Sequence, residues 1–383
     1  MHWTMGPSPF FEERHMKLAG RLEDWRAPEV DEDSPDLEAA CRTLAGDLAD
    51  AGFIDLMVPV NSVVDLRAVC LAREAVAYNS ALADEVLAMQ GIGAGAIWMH
   101  GTPEQKARYL DPIRQGKAIA GFALTEPASG SDVANITTRA ERTDRGYVLN
   151  GAKTLISNAP FADHYIVMAR TGEAPGAKGL SAFVVDRGTP GMIPGEPIPL
   201  IAPHPLAPIA FEDCHLPADA LIGTPGAGFA IAMATFDIFR TSVGAAAVGM
   251  ARRARDAAVE RVLSRHLFGD SMARLPGVQT SLAEMEIDLT TASLAVYSAA
   301  WNRDTGNGSA TRSASLAKYV GTEHAGRVVD AALQLFGGAG VTRGNIVEKI
   351  YREVRAARIY EGASEVQKIV IARDLLKAAG LKR

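Results

Sequence analysis

The chain has 383 residues, 48% of them hydrophobic, with 39 basic against 45 acidic side chains and a formal charge of −6. That is enough apolar material for a large core in two or three domains, and the acidic balance argues against nucleic acid or an anionic membrane as the main partner. Three widely separated cysteines, Cys41, Cys70 and Cys214, with no CxxC spacing, argue against a disulfide framework or a zinc site.

At the N-terminus, MHWTMGPSPFFEERH lacks a basic leader followed by an apolar run, and no uncharged apolar stretch of about 18 residues follows anywhere. A soluble, cytoplasmic protein is expected. Residues 37–118 read as helices: EAACRTLAGDLADAGF has helical spacing, and TPEQKARYL opens with Thr102 as cap, Pro103 at the first helical position and Gln105 closing a capping box. Within this third, GIGAGA at 91–96 has the look of a dinucleotide-binding loop. The preceding DEVLAMQ is helical and no βαβ unit surrounds it, so these glycines are expected to let helices approach closely instead.

From about residue 120 the texture changes to short β-branched and aromatic runs broken by turns: GFALTEP, GYVLNGAKTLIS, DHYIVMAR, LSAFVVDR and IAFEDCHLP. Asn150-Gly151 is the strongest hairpin signal among them. Cys214 and His215 adjoin on a strand end and point to opposite faces, and none of the eight histidines has HExxH or HxxxH spacing, so no metal or Cys-His site is expected. TGEAPGAKG reads as an exposed loop. From Gly228 onward, long helical patterns predict a bundle. The fold class expected is a multidomain α+β chain: a helical domain over 1–119, a β domain over 120–226 and a helical bundle over 227–383.

Two stretches carry candidate chemistry. Upstream of and into ARIYEGASEVQ, an amphipathic helix carries Val347, Ile350, Tyr351, Val354 and Arg358 at helical spacing; Gly362 suits a left-handed helix end, and Ser364 with Gln367 spells a capping box for the next helix. Glu361 therefore sits at a corner, from which a side chain reaches either a cleft or solvent. In LTEPASGSDV, an apolar strand ends at Thr125, and the small residues Ala128 to Ser131 would let backbone amides and hydroxyls approach a diphosphate; the same loop also serves simply to turn the chain.

FALTEPASGSDV (122–133), YVLNGAKTLISNA (147–159), GAGF (226–229), RHLFG (265–269), QLFGGAG (334–340) and RIYEGASEVQ (358–367) together resemble the acyl-CoA dehydrogenase family in motif, order and spacing, from about residue 50 to the end. The resemblance implies an N-terminal α-helical domain, a middle β-barrel or sandwich domain and a C-terminal four-helix-type bundle. It further implies an FAD enzyme that takes the α-proton and β-hydride from an acyl-CoA thioester, forms the trans-2-enoyl-CoA and passes electrons to electron-transfer flavoprotein. The family is homo-oligomeric, usually a dimer of dimers.

Carried over by position, Glu361 matches the family's catalytic base. Some relatives keep that base on the helix of the third domain, immediately before an arginine; here Phe239 precedes Arg240, leaving Glu361 without a rival. Phe122, Leu124, Thr125 and Ser131 match residues that hold the flavin ring and pyrophosphate, and Ser157 keeps a hydroxyl for the ring. Leu155 stands where the family has an aromatic covering the flavin. Arg265, Phe268, Gln334, Gly337 and Gly338 match residues that reach the FAD of a neighbouring subunit. Ala363 replaces a usual threonine, and Glu365 stands at the following cofactor position. For the substrate, Asp237 and Arg240 match contacts along the CoA arm, with Ser131, Tyr360 and Gly362 completing the implied set. VNSVVDLR and IAPHPLAPIAF depart from the family's segments near cofactor and CoA. An oxygen-using flavoprotein of the same fold, kept open by Leu155, and a non-catalytic binding relative remain as alternatives.

Overall fold

The computed structural model describes residues 9–381 apart from 33, 62 and 308; the start of the stretch read for a leader, and Ser62 of VNSVVDLR, lie outside those residues. In chain order the elements are α1 (Glu13–Asp24), α2 (Glu38–Asp50), α3 (Ile54–Met57), α4 (Leu66–Asn79), α5 (Ala81–His100), α6 (Pro103–Arg114), β1 (Ala120–Ala123), β2 (Arg139–Thr143), β3 (Gly146–Ser157), β4 (His164–Arg170), β5 (Leu180–Asp186), β6 (Met192–Pro194), β7 (Leu206–Pro217), β8 (Leu221–Ile222), α7 (Gly228–Ser264), β9 (His266–Leu267), β10 (Asp270–Ser271), α8 (Pro276–Asp304), α9 (Ala310–Phe336), α10 (Ile346–Ala357) and α11 (Ser364–Ala378). The chain is α+β, with helices first, strands next and helices last. Internal packing divides it into two compact units: residues 1–27, 65–84 and 240–383 in one, and 28–64 and 85–239 in the other.

The first unit is helical. α8 packs along α9, with α10 and α11 against α9, α4 on α8 and α1 on α4. Its core is rich in alanine, including Ala246, Ala247, Ala251, Ala254 and Ala258 along one helix, with Leu289, Val328, Val329 and Val354 facing them. Small side chains bring the helix axes close. One such approach joins α7 to α9, where a Cβ on Gly321 would stand 2.6 Å from Gly244 Cα. Deep in this unit Glu74 accepts from Arg252 and from the Tyr297 hydroxyl, both at 2.6 Å, and Arg252 also donates to Ser293. A buried charge this well satisfied ties α4, α7 and α8 together. The most apolar window of α7 is 78% buried within the protein, as in a core helix.

The second unit combines α2, α3, most of α5, and α6 with a mixed eight-stranded sheet in the order β6-β7-β3-β2-β4-β5-β8, with β1 pairing parallel to β4. β4 and β5 are buried along nearly their whole length, so they read as continuous apolar runs; β7 alternates, with one face toward solvent. GIGAGA lies inside α5, where added Cβ atoms on Gly93 and Gly95 would stand 2.4 Å from Ala120 and 2.8 Å from Thr235. The capping box of Thr102 and Gln105 forms as read.

Three local expectations are corrected. Asn150-Gly151 does not turn a hairpin: β3 runs unbroken through it, and the register with β7 shifts there from Leu149↔Cys214 to Gly151↔Phe211, a bulge. The tight turn is Asp144-Arg145, between β2 and β3. Asn150 instead clasps the left-handed Asp213, donating to its carboxylate and accepting from its amide. Second, Ser364 is the first residue of α11, not its cap; Ala363 is the cap, and the Ser364 and Gln367 side chains bond elsewhere. Third, Gly362 does not directly follow a helix, because α10 already ends at Ala357.

Candidate active site

Residues 358–363 form the corner between α10 and α11, and two consecutive residues in it are left-handed, Glu361 at φ 52° and Gly362 at φ 94°. The conformation suits glycine but costs a glutamate about 1–2 kcal/mol, so it persists only where contacts hold it. Three donors do. Arg240 Nε reaches the Glu361 carbonyl at 3.2 Å, Lys318 Nζ the Gly362 carbonyl at 2.7 Å, and Gln367 Nε2 the same carbonyl at 2.8 Å. A Cβ at position 362 would stand 2.5 Å from Gln367 Nε2, a second reason for glycine there. At the corner's other end, Arg358 and Ser364 both donate to Glu323, and the Ser364 amide donates to the Arg358 carbonyl.

The donors grip the backbone and leave the carboxylate alone. Glu361 Oε2 is buried with no hydrogen-bond partner among the described residues. Burial pushes the Glu361 carboxyl above its usual range, Arg73, Lys318 and Arg240 oppose that, and Asp84 reinforces it. Burial also raises the Tyr360 phenol. Arg73 is itself buried and fully engaged, donating to both Asp84 oxygens at 2.9 and 2.6 Å and to Ser242 at 3.1 Å. Lys318 has no exposed surface, and burial lowers its ammonium to about 8 while the Glu361 charge works the other way. A carboxylate with raised proton affinity and a free oxygen is equipped to act as a general base.

Sequence reasoning placed Glu361, Tyr360, Gly362 and Arg240 and missed Lys318, Arg73, Asp84 and Gln367. A signal existed for Lys318: it shares the buried stripe of α9 with Ala314, Ala317, Gly321 and Ala325, where a lysine stands out. Arg73 likewise interrupts the apolar run AVCLAREAVA. Asp237 lies on α7 less than one turn before Arg240 and is half-buried.

In the second unit, the segments singled out at 122–131 and 155–157 are brought together by three cross-links. Asn158 Nδ2 donates to the Ala120 carbonyl at 3.1 Å, Lys153 Nζ to the Leu124 carbonyl at 3.0 Å, and the Thr154 amide to the Thr125 carbonyl at 3.0 Å. Glu126, buried, closes the loop between them: its carboxylate accepts from Lys153 at 2.8 Å, from the Thr137 amide and hydroxyl at 2.6 and 2.8 Å, and from the Thr138 amide at 2.9 Å. Burial alone would raise Glu126, but Lys153 and these donors bring it down to about 2. Neither Glu126 nor Lys153 was named from sequence as a site residue.

Beside that anchored loop the surface is open. Thr125 and Ser157 are half-buried, Gly130 and Ser131 are exposed, and a Cβ on Gly130 would meet nothing within 4 Å. Leu155 is 50% exposed on a left-handed backbone at φ 54°, whereas Phe122 and Leu124, just before Thr125, are buried. Hydroxyls and an unobstructed small-residue loop suit a diphosphate and a polar ring edge, and an exposed apolar side chain suits a ring face. These residues fit a flavin dinucleotide.

The remaining candidates lie in the first unit, at two places. Phe268 tips the β9–β10 hairpin at φ 56° and is 94% exposed; Arg265 beside it is exposed as well. Leu267 and Leu335 pack on the same cluster of Val262, Met272 and Val278, which sets this hairpin next to the end of α9 with Gln334, Gly337 and Gly338. Ala363 and Glu365 are not part of this group. They flank the Glu361 corner near Lys318, about 24 Å along α9 from Gln334 at 1.5 Å per residue.

Residues 15–117, 121–214 and 226–376 match the N-terminal, middle and C-terminal domains of acyl-CoA dehydrogenase. Among curated relatives, the 3-(aryl)acrylate reductase of Clostridium sporogenes is 35% identical over 377 residues, 96% of this chain and 100% of that protein. The short-chain specific acyl-CoA dehydrogenase of Rattus norvegicus mitochondria is 34% identical over 337 residues, 86% of this chain and 82% of that one. Among solved structures, butyryl-CoA dehydrogenase from Megasphaera elsdenii superposes with a TM-score of 0.86 at 31% identity, covering 98% of this chain and 100% of that chain. A chain from a study of the electron transferring flavoprotein of Acidaminococcus fermentans gives 0.88 at 33% identity over 96% of this chain and 99% of that chain. An FAD complex of PigA gives 0.88 at 28% identity over 95% and 98%.

Proposed function

The chain belongs to the acyl-CoA dehydrogenase family of oxidoreductases, and from that premise we propose that it catalyses α,β-dehydrogenation of an acyl-CoA thioester to the trans-2-enoyl-CoA, with Glu361 as the base. The observation that carries this reading is the Glu361 corner: a carboxyl raised by burial, with a free oxygen, on a backbone clamped by Arg240, Lys318 and Gln367.

The α C–H bond breaks and its proton goes to Glu361. The bond's electron pair becomes the new C=C bond as the β C–H bond breaks. A thioester α-proton is too weakly acidic for a carboxylate in water, and a buried carboxylate with raised proton affinity narrows that gap. Bound FAD would supply the acceptor for the β-hydrogen and its electron pair. Phe122, Leu124, Thr125, Ser131, Leu155 and Ser157 would hold it, Ala363 and Glu365 are further cofactor positions, and Arg265, Phe268, Gln334, Gly337 and Gly338 are available to the FAD of a neighbouring copy in a homo-oligomer. The exposure of Phe268 supports that assignment, since 94% of it is left uncovered by the described residues of its own chain. Arg240, Tyr360 and Gly362, with Asp237 and Ser131 matched by sequence position, are the residues we assign to the substrate, and electron-transfer flavoprotein is the proposed acceptor of the two electrons.

The Clostridium sporogenes relative is named a reductase, and the same corner serves that direction: protonated Glu361 returns a proton to the α-carbon. The test is the visible spectrum of the FAD-loaded protein under anaerobic conditions, with butyryl-CoA, isobutyryl-CoA and 3-phenylpropionyl-CoA added in turn. Bleaching of the flavin band by one of them, lost in Glu361→Gln, is expected. A band that none of them bleaches, but that reappears when the chemically reduced protein meets the matching enoyl-CoA, assigns the reductive direction. Wild-type bleaching by Glu361→Gln overturns the role of Glu361.

A further inference from the structure

Gly244 and Gly321 bring the backbones of α7 and α9 into contact, an added Cβ on Gly321 standing 2.6 Å from Gly244 Cα and one on Gly244 standing 2.7 Å from the Ala317 carbonyl oxygen. Arg240 lies four residues before Gly244, and Lys318 three before Gly321. Residues at these spacings share a helix face. The crossing therefore sets two cations side by side, and they donate to consecutive carbonyls, Arg240 to residue 361 and Lys318 to residue 362. Lys318 is unusual in this pair because it is completely buried and carries no carboxylate partner within salt-bridge distance among the described residues. A neutral donor would satisfy the Gly362 carbonyl, and Gln367 already supplies one at 2.8 Å. Placing a desolvated ammonium there as well is expensive unless its charge has a further use.

We infer that Lys318 is a positioning residue for Glu361: its ammonium pins the left-handed corner through the Gly362 carbonyl and holds a positive charge toward the neighbouring carboxylate without bonding to it. The inference rests on the reading of Glu361 as the base. A direct ion pair would quench that base, whereas a cation fixed through the next carbonyl keeps the carboxylate ionised and leaves its oxygen free. The other charges acting on Glu361 are Arg73 from α4, Asp84 from α5 and Arg240 from α7; Lys318 also feels Glu323 on its own helix and Glu365 on α11.

The sign follows from those charges. Lys318 opposes the effect of burial on Glu361, so removing it moves the acid limb of flavin reduction to higher pH. The experiment measures the rate constant of anaerobic reduction against pH for Lys318→Met, Lys318→Arg and Gln367→Leu, using whichever of the three acyl-CoAs bleaches the wild type fastest. Lys318→Met is expected to reduce at least about tenfold more slowly with its acid limb displaced upward, whereas Lys318→Arg, which keeps the charge, and Gln367→Leu, which removes only the neutral donor, keep the wild-type limb. If Lys318→Met does not fold, Lys318→Gln, which keeps a donor and drops the charge, reads the same limb. A second readout needs no turnover: thermal unfolding of Lys318→Met in the wild-type and Glu361→Gln backgrounds, from acid to neutral pH. Coupling between the two changes that grows as pH rises is expected. Equal effects of Lys318→Met in both backgrounds, or a wild-type limb in the charge-free variants while Glu361→Gln is inactive, overturn this inference alone. A Glu361→Gln protein that reduces normally overturns the parent reading instead.

Discussion

Glu126 in the second unit and Glu361 in the first are two carboxylates drawn into protein interior and provided for in opposite ways. Glu126 uses both oxygens, accepting from Lys153, two backbone amides and a hydroxyl, and its carboxyl falls to about 2. Glu361 has an oxygen with no donor among the described residues, two of the cations that act on it, Arg240 and Lys318, bind backbone carbonyls, and its carboxyl rises. The lesson concerns where the donors point. Aimed at the oxygens, they turn a glutamate into a staple for the loop between Leu124 and Thr138. Aimed at the backbone beside it, they fix the position of a glutamate whose chemistry stays available.

The largest effect should come from Glu361→Gln. Flavin reduction by the best acyl-CoA falls by about 10³-fold or more in single-turnover measurements, while the melting temperature stays level or rises because an under-satisfied buried charge is gone. The corresponding change at the other carboxylate should do the reverse. Lys153→Met leaves Glu126 charged, buried and unpaired, and urea unfolding should record a loss of about 3–5 kcal/mol.

The two glutamates should also give opposite slopes of stability against pH. Glu126 has a folded value of about 2 against 4.5 unfolded, so its contribution is complete above 4.5 and is lost as pH falls toward 2, roughly 3 kcal/mol in all. Glu126→Gln should flatten the unfolding profile in that window. Glu361 is raised, so the native state keeps its proton longer than the unfolded chain, and its contribution falls as pH rises above 4.5. Glu361→Gln should remove that decline, and a profile unchanged by either substitution would end the comparison. The smallest effect is expected from Ser364→Ala, which deletes one bond to Glu323 beside the corner while Arg358 keeps its own, about 1 kcal/mol in thermal unfolding with little change in reduction rate.

Much of the molecule was legible before its coordinates. Helical spacing gave α2 and α6 with its capping box, β-branched runs gave β3, β4, β5 and β7, and the ordered motifs pointed to Glu361 and to the loop at 124–133. Local signals failed where a long-range partner outweighed them. Asn150-Gly151 has hairpin chemistry, but β3 pairs with β7 on both sides of it, and a continuous ladder with one bulge satisfies more backbone than a turn would. Ser364 and Gln367 have capping chemistry, but Glu323, brought in by the packing of α11 on α9, claims the Ser364 hydroxyl, and Gln367 turns back to the Gly362 carbonyl of the corner.

The amino-acid sequence by itself determined the order of helices and strands, the ordered motifs of the acyl-CoA dehydrogenase family, and the presence of a glutamate at a corner, because periodicity, turn chemistry and motif spacing are properties of neighbours along the chain. Only the tertiary structure decided that Lys318, Arg240 and Gln367 grip the backbone of that corner and that Lys153 neutralises Glu126. The reason is physical. A carboxylate's proton affinity depends on burial and on charges delivered by other elements, and Lys318 and Arg240 reach residues 361 and 362 only because two glycines let their helices touch.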